Sequence, residues 1–209
     1  MGGTIRRSRG SLALPTSGYS VRLGIRGRLD GDHGKIYASS LASAIETATP
    51  HGPHNMQPAS VSLSQATEAG TLYAPEEIMA ITGVAKAAGI SVHMDGARFA
   101  NAVVGSGMSP ADLTWRVGVD VLSFGATKNG GLAAEAAVFF RPELAETFKY
   151  RRKRGGHLFS KMRYLSAQLD AYVKDGLWLR YASQANARAQ RLADGLAAVP
   201  GIEIEHPVE

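Results

Sequence analysis

The sequence predicts an α/β fold, a mainly parallel sheet flanked by helices, and three observations lead there. Short apolar runs alternate with segments of helical period, Gly and Pro stand at junctions such as Pro75, Gly89 and Pro110, and 209 residues at 44% apolar content suffice for a substantial core. The first 28 residues, "MGGTIRRSRGSLALPTSGYSVRLGIRGR", are rich in Gly, Ser and Arg, show no sustained period of 2 or 3.6, and read as a flexible basic arm. Legible elements begin at Leu29. "ASVSL", Ala59 to Leu63, reads as a short buried strand. Tyr73 then leads into a helix with Pro75 in its first turn, Ile78, Ile81, Ala85 and Ala88 on one face, and Gly89 as its stop. "ISVHMD" reads as the next strand, Ser109 to Asp112 as a capping-box start for a short helix, and "VDVLSFG" and "AAVFF" as two further strands.

Composition narrows the function classes. No run approaches the roughly 18 apolar residues of a membrane span and the N-terminus lacks an apolar signal region, so a soluble cytoplasmic protein with no membrane partner is expected. The absence of cysteine removes disulfides, thiolate metal sites and thiol nucleophiles, and no metal site is expected. The net charge of +5 resides in the head, where Arg6, Arg7, Arg9, Arg22, Arg26 and Arg28 meet no acid; without these six, 17 basic residues face 18 acidic ones. "RRKR", Arg151 to Arg154, follows a helical pattern and reads as a solvated or interface face, with a phosphate-facing turn as the alternative. With no interleaved aromatics or binding motif, nucleic acid is not the expected partner.

The alternation of elements gives two polar positions their meaning. Ligands of open α/β sheets lie beyond the carboxyl ends of the strands, where Asp95 ends one strand and Lys128, in "SFGATKNGG", follows the next. A right-handed crossover brings both to one sheet edge. An amine and a carboxylate placed so invite pyridoxal phosphate, whose aldehyde an amine holds as a Schiff base and whose ring nitrogen an anion keeps protonated. A charge pair about 4 Å apart at an effective dielectric near 20 is worth roughly 4 kcal/mol, enough to move a pKa by about 3 units. Arg98, three residues beyond Asp95, can reach the same place, and the glycines near Lys128 let backbone approach a ligand. Each residue also has a plainer reading: Asp95 as a helix cap, Lys128 as solvated, Arg98 as the ion-pair partner of Asp95. His93 is read as pointing the other way along the strand, a satisfied core histidine, and Asp120 as a cap at the start of the following strand.

"SLSQATEAGTLYAPEEI", "VHMDGARFANA", "DVLSFGATKNGG" and "GGHLFSKMRYLSAQ" together resemble the threonine aldolase group of the beta-eliminating lyases, pyridoxal-phosphate enzymes of the aspartate-aminotransferase fold, over about residues 29–209. The resemblance implies a fold type I large domain over 29–174, with 175–209 as a connecting helix and the start of a small C-terminal domain. It implies Lys128 as the Schiff-base lysine, Asp95 as partner of the ring nitrogen, Arg98 near the cofactor's phenolic oxygen and the substrate, and Arg163 at the substrate carboxylate. It also implies that Lys153 and Arg154 approach the cofactor phosphate across a subunit boundary, since such enzymes are homo-oligomers, dimers or tetramers. The implied reaction is retro-aldol cleavage of threonine or allo-threonine to glycine and acetaldehyde.

Four family features have no match here: a glycine-containing phosphate turn and a ring-stacking histidine near the N-terminus, the carboxylate-binding arginine of the small domain, and a histidine where "SQATEAG" has Thr67 and Glu68. An incomplete enzyme is therefore expected. Residues 1–28 read either as a genuine arm or, preferred for the abrupt change in composition, as the product of a shifted frame or misassigned start. The rival classes are a catalytically inactive fragment acting by association with a full-length partner, and a basic nucleic-acid-binding module.

Overall fold

A computed structural model describes Leu29, residues 31–48 and residues 57–209; the basic head lies outside the described residues. Helix α1 spans Ala38–Ala48 and strand β1 Ser60–Ser64. Helix α2 (Pro75–Ala87), strand β2 (Ser91–Gly96), helix α3 (Phe99–Ser106) and strands β3 (Val121–Gly125) and β4 (Glu135–Phe139) follow. Helices α4 (Phe148–Arg154), α5 (Arg163–Val173) and α6 (Leu177–Ala197) complete the order. No described helix is long and apolar enough to cross a membrane.

The four strands form one sheet in the order β1-β2-β3-β4. The first three are parallel, with Ser64 opposite Asp95 and Asp95 opposite Ser123, whereas β4 returns antiparallel to β3 with Gly125 opposite Glu135. The sheet is thus mixed, an α/β arrangement with one antiparallel edge strand. Period-2 alternation divides its faces. Val61, Leu63, Val92, Met94 and Leu122 are buried in one cluster with Leu41 of α1, Ile78, Ile81 and Ala85 of α2, and Phe99 and Val103 of α3. Their neighbours Ser62, Ser64, His93, Asp95 and Ser123 stand on the opposite, half-buried face.

Helix α2 begins and ends as its sequence dictates. Glu77 accepts the Ala74 N–H at 2.7 Å, Pro75 occupies the first turn, and Gly89 turns out of the helix at φ +69°. Ala88, expected on the buried face, is instead the exposed cap residue. No α-helix follows Ser109. The capping contact is present, the Asp112 N–H donating to Ser109 Oγ at 3.3 Å, but Thr114 leaves helical backbone at φ −131°, its hydroxyl bonds the Pro110 carbonyl at 2.6 Å, and only a 3-10 turn at Trp115–Val117 results. A threonine hydroxyl competing for local carbonyls favours this outcome.

Aromatic packing ties the later helices to the sheet. Phe124 of β3 meets Phe99 of α3, Tyr172 of α5 and Trp178 of α6 at centroid separations of 6.4, 5.9 and 5.6 Å. Asn101 and Asn186 exchange amide bonds of 2.9 and 3.1 Å between α3 and α6.

At the other end of the core, the buried Tyr73 hydroxyl accepts the Ile36 N–H at 2.7 Å, and burial pushes its pKa well above that of a free phenol. Replacing Tyr73 by Phe leaves that N–H unpaired, and denaturant unfolding should show a loss of about 1–3 kcal/mol, the penalty of an unsatisfied buried donor; an unchanged midpoint would show that water replaces the hydroxyl.

Candidate active site at the carboxyl edge of the sheet

Parallel pairing of β2 and β3 sends both carboxyl ends to one edge. Asp95 is the fifth residue of β2, and Lys128 lies in the 3-10 turn Thr127–Asn129 that leaves β3. The expected juxtaposition of the two segments is present. Asp95 Oδ1 accepts the Ala97 N–H at 3.0 Å, so the carboxylate does brace the turn into α3. Among the described residues Asp95 makes no ion pair, and neither does the exposed Lys128.

The lysine loop is held from several sides. Ala126 donates to the Ala134 carbonyl at 3.1 Å and accepts from Gly131 at 2.9 Å, closing a tight return between β3 and β4. Asn129 is buried and donates to Tyr172 Oη at 2.6 Å and to the Trp178 carbonyl at 2.9 Å. Gln168 of α5 accepts from the amides of Leu132 and Ala133 at 3.1 and 3.2 Å, and Thr127 donates to Glu135 at 2.6 Å. Gly130 sits at φ +98° with the Tyr181 ring 3.0 Å from where a Cβ would stand, so any side chain there is both strained and crowded.

Arg98 does not pair with Asp95. It precedes the first turn of α3 and engages Glu68 of the β1–α2 loop, Nη1 to Oε1 at 2.9 Å and Nη2 to Oε2 at 3.1 Å. This bond, together with the charges of Arg98 and Lys128, holds the Glu68 carboxyl below its ordinary range despite partial burial. Glu68, known from the sequence only as the occupant of an unmatched position, is thus the partner of Arg98, a pairing the sequence did not reveal.

His93 occupies the same sheet face as Asp95, two residues earlier, not the opposite one: i and i+2 share a face in any strand. It is satisfied as expected, with Nδ1 2.8 Å from Ser62 Oγ and Nε2 2.9 Å from Ser123 Oγ, a line of contacts across β1, β2 and β3. Burial pulls its pKa below the ordinary value, more strongly than the charge of Asp95 raises it. Asp120 caps the start of β3 as expected, accepting the Val92 N–H at 2.7 Å and meeting Arg141 at 3.5 Å.

Arg163 opens α5 and lies over the Tyr164 ring at 4.8 Å; no hydrogen bond or ion pair joins it to Asp95, Arg98 or Lys128 among the described residues. Arg151, Arg152, Lys153 and Arg154 form the last turn of α4, where cations complement the helix dipole, and none has an acidic partner among the described residues. With Thr147, Lys149 and Tyr150, three of the four line a cleft of about 630 Å³ that shares no residue with the Asp95–Lys128 edge. A cationic surface groove along one helix lacks the acid and amine found together at that edge. The edge is the better candidate for chemistry.

The profile of the beta-eliminating lyase family matches residues 16–209, so its start falls within the basic head and ahead of Leu29. The low specificity L-threonine aldolase of Pseudomonas sp. (strain NCIMB 10558) is 50% identical over 177 residues, covering 84% of this chain and 50% of the relative. The enzyme of the same description from Pseudomonas aeruginosa is 51% identical over the same shares. The chain spans about half the length of these relatives. The threonine aldolase structure from Leishmania major superposes with a TM-score of 0.71 at 31% identity, covering 79% of this chain and 48% of that one.

The buried histidine makes a pH prediction. Its folded pKa lies below the unfolded value of 6.5, so the unfolded chain binds the proton more readily and the stability contributed by neutral His93 is present above 6.5 and lost as pH falls below it. Comparing unfolding midpoints of the wild type and His93→Gln at pH 8 and pH 5.5, the gap between them should narrow at the lower pH; a constant gap would mean that His93 does not titrate differently on folding.

Proposed function

The chain belongs to the beta-eliminating lyase family, and on that premise we propose that it carries the lysine-bearing half of a pyridoxal-phosphate site built for threonine aldolase chemistry, the cleavage of a beta-hydroxy-alpha-amino acid to glycine and an aldehyde. One observation carries the reading: an exposed amine and a carboxylate, each without an ion-pair partner among the described residues, stand at the carboxyl ends of two adjacent parallel strands. This donor set fits the cofactor, since an aldehyde needs the amine of Lys128 and a ring nitrogen needs an anion such as Asp95 to stay protonated. When bound, the cofactor supplies the electron sink for the pair released from the broken Cα–Cβ bond.

The chain's own residues bind and orient. Lys128 is the covalent anchor, and the Asn129, Gln168 and Ala126 contacts fix where its backbone stands. Asp95 supplies a charge at a set place on the sheet edge, its orientation held by the Ala97 amide. Such preorganised charge needs no rearrangement during the reaction. Arg98 offers a planar fork suited to a carboxylate or phenolate oxygen, and the same reading assigns Arg163 to the substrate carboxylate. Lys153 and Arg154 are assigned to the phosphate of the cofactor in a second copy, which makes the active form a homo-oligomer.

The test combines labelling with turnover. After addition of pyridoxal phosphate, borohydride reduction and peptide mapping should mark Lys128, and acetaldehyde release from threonine should vanish in Lys128→Ala. Asp95→Asn removes a charge interaction worth roughly 4 kcal/mol and should lower turnover by up to about a thousandfold while leaving the label on Lys128. A label on another lysine would defeat the assignment.

A further inference from the structure

Arg98 and Glu68 meet end to end. Each terminal nitrogen of the guanidinium gives one hydrogen to one carboxylate oxygen, at 2.9 and 3.1 Å. A guanidinium has five N–H donors, so Nε–H and one outer hydrogen on each terminal nitrogen remain. No acceptor for these three appears among the described residues. Nε–H and one outer Nη hydrogen lie parallel along the lateral edge of the fork, a second pair of donors with the spacing of a carboxylate.

The loop that presents Glu68 is more firmly built than an exposed ion pair requires. Gln65 exchanges two bonds with the Tyr73 backbone, both 3.0 Å, across the base of the loop. Thr67 Oγ1 lies 2.7 Å from Thr71 Oγ1, the Thr67 amide donates to the Thr71 carbonyl at 2.9 Å, and the Thr71 hydroxyl donates to the His33 carbonyl. Gln65, Thr67 and Thr71 are each at most 1% exposed, yet the Glu68 side chain they carry is 78% exposed. Ion pairs that open to solvent add little to stability. The brace fixes the backbone that carries this carboxylate, which also lies in the field of Lys128.

We infer that Glu68 is a positioning residue: by holding the end of the Arg98 fork it aims the lateral donor pair at the α-carboxylate of an amino-acid ligand held beside Lys128. The inference rests on the functional reading above and assigns to Glu68 selection of a carboxylate over its uncharged equivalent. A neutral amide in place of the carboxylate offers a donor where the fork needs an acceptor, so it gains nothing from the alignment.

The experiment titrates glycine and glycinamide into the cofactor-free chain and follows the Arg98 Nε–H resonance by proton–nitrogen NMR, in wild type, Glu68→Ala and Glu68→Gln. In wild type, glycine should shift the resonance saturably and glycinamide should not. Glu68→Ala should weaken glycine about tenfold, and Glu68→Gln, which retains one acceptor, should fall between. With cofactor and threonine, KM should rise in Glu68→Ala while kcat holds. Glycine binding to Glu68→Ala that equals or exceeds wild type would overturn the inference, since Glu68 would then be indifferent or a competitor for Arg98. So would an Arg98 resonance that ignores glycine in wild type, or one that glycinamide shifts as glycine does. Because the titration contains no cofactor, a borohydride label away from Lys128 defeats the functional reading alone and leaves this result standing.

Discussion

Everything at the candidate site depends on β2 and β3 lying side by side and parallel. The pairing is anchored before it reaches the chemistry: Asp120 takes the Val92 amide at 2.7 Å, and its own amide meets the Val92 carbonyl at 2.9 Å. Register then runs without interruption to Asp95 opposite Ser123. A slip of one residue would turn Asp95 onto the apolar face and bury a charge without a partner, a cost large enough to reject that register. The position of the carboxylate is thus decided at the far end of the strands.

The two faces of the sheet divide the labour. Val61, Leu63, Val92, Met94 and Leu122 supply the burial that holds α1 and α2, while the opposite face carries Ser62, His93 and Ser123 in a connected polar layer, with Asp95 on the same face. A neutral imidazole donates through one nitrogen and accepts through the other, and the serine hydroxyls rotate to suit. Three strands are therefore joined laterally by side chains as well as backbone, beside the carboxylate.

Much of this was readable beforehand, for identifiable reasons. β1, β2 and β3 carry period-2 patterns, α2 carries both a start signal and a stop, and the rule that ligands sit beyond strand ends singled out Asp95 and Lys128. The direction of β4 escaped because five apolar residues carry no polarity of their own. A signal was available: nine residues separate Gly125 from Glu135, fewer than the dozen or so that a parallel crossover needs. The Arg98–Glu68 pair left no such trace, since its members stand 30 positions apart on two loops and neither loop's shape follows from local pattern. The helix expected after Ser109 failed because capping chemistry marks a start and says nothing about whether the following residues will continue it.

The return between β3 and β4 has a further consequence for the length of the chain. Ala126 is bonded to both Gly131 and Ala134, Asn129 is hooked to α5 and α6, and β4 is in register with β3 from Gly125–Glu135 onward. One residue inserted after Lys128 would have to be absorbed as a bulge or passed along β4, exchanging its inward and outward residues and drawing Phe139 away from Phe148, which it meets at 5.0 Å. Lysine position and edge-strand register are one degree of freedom, so this segment tolerates changes of side chain far better than changes of length.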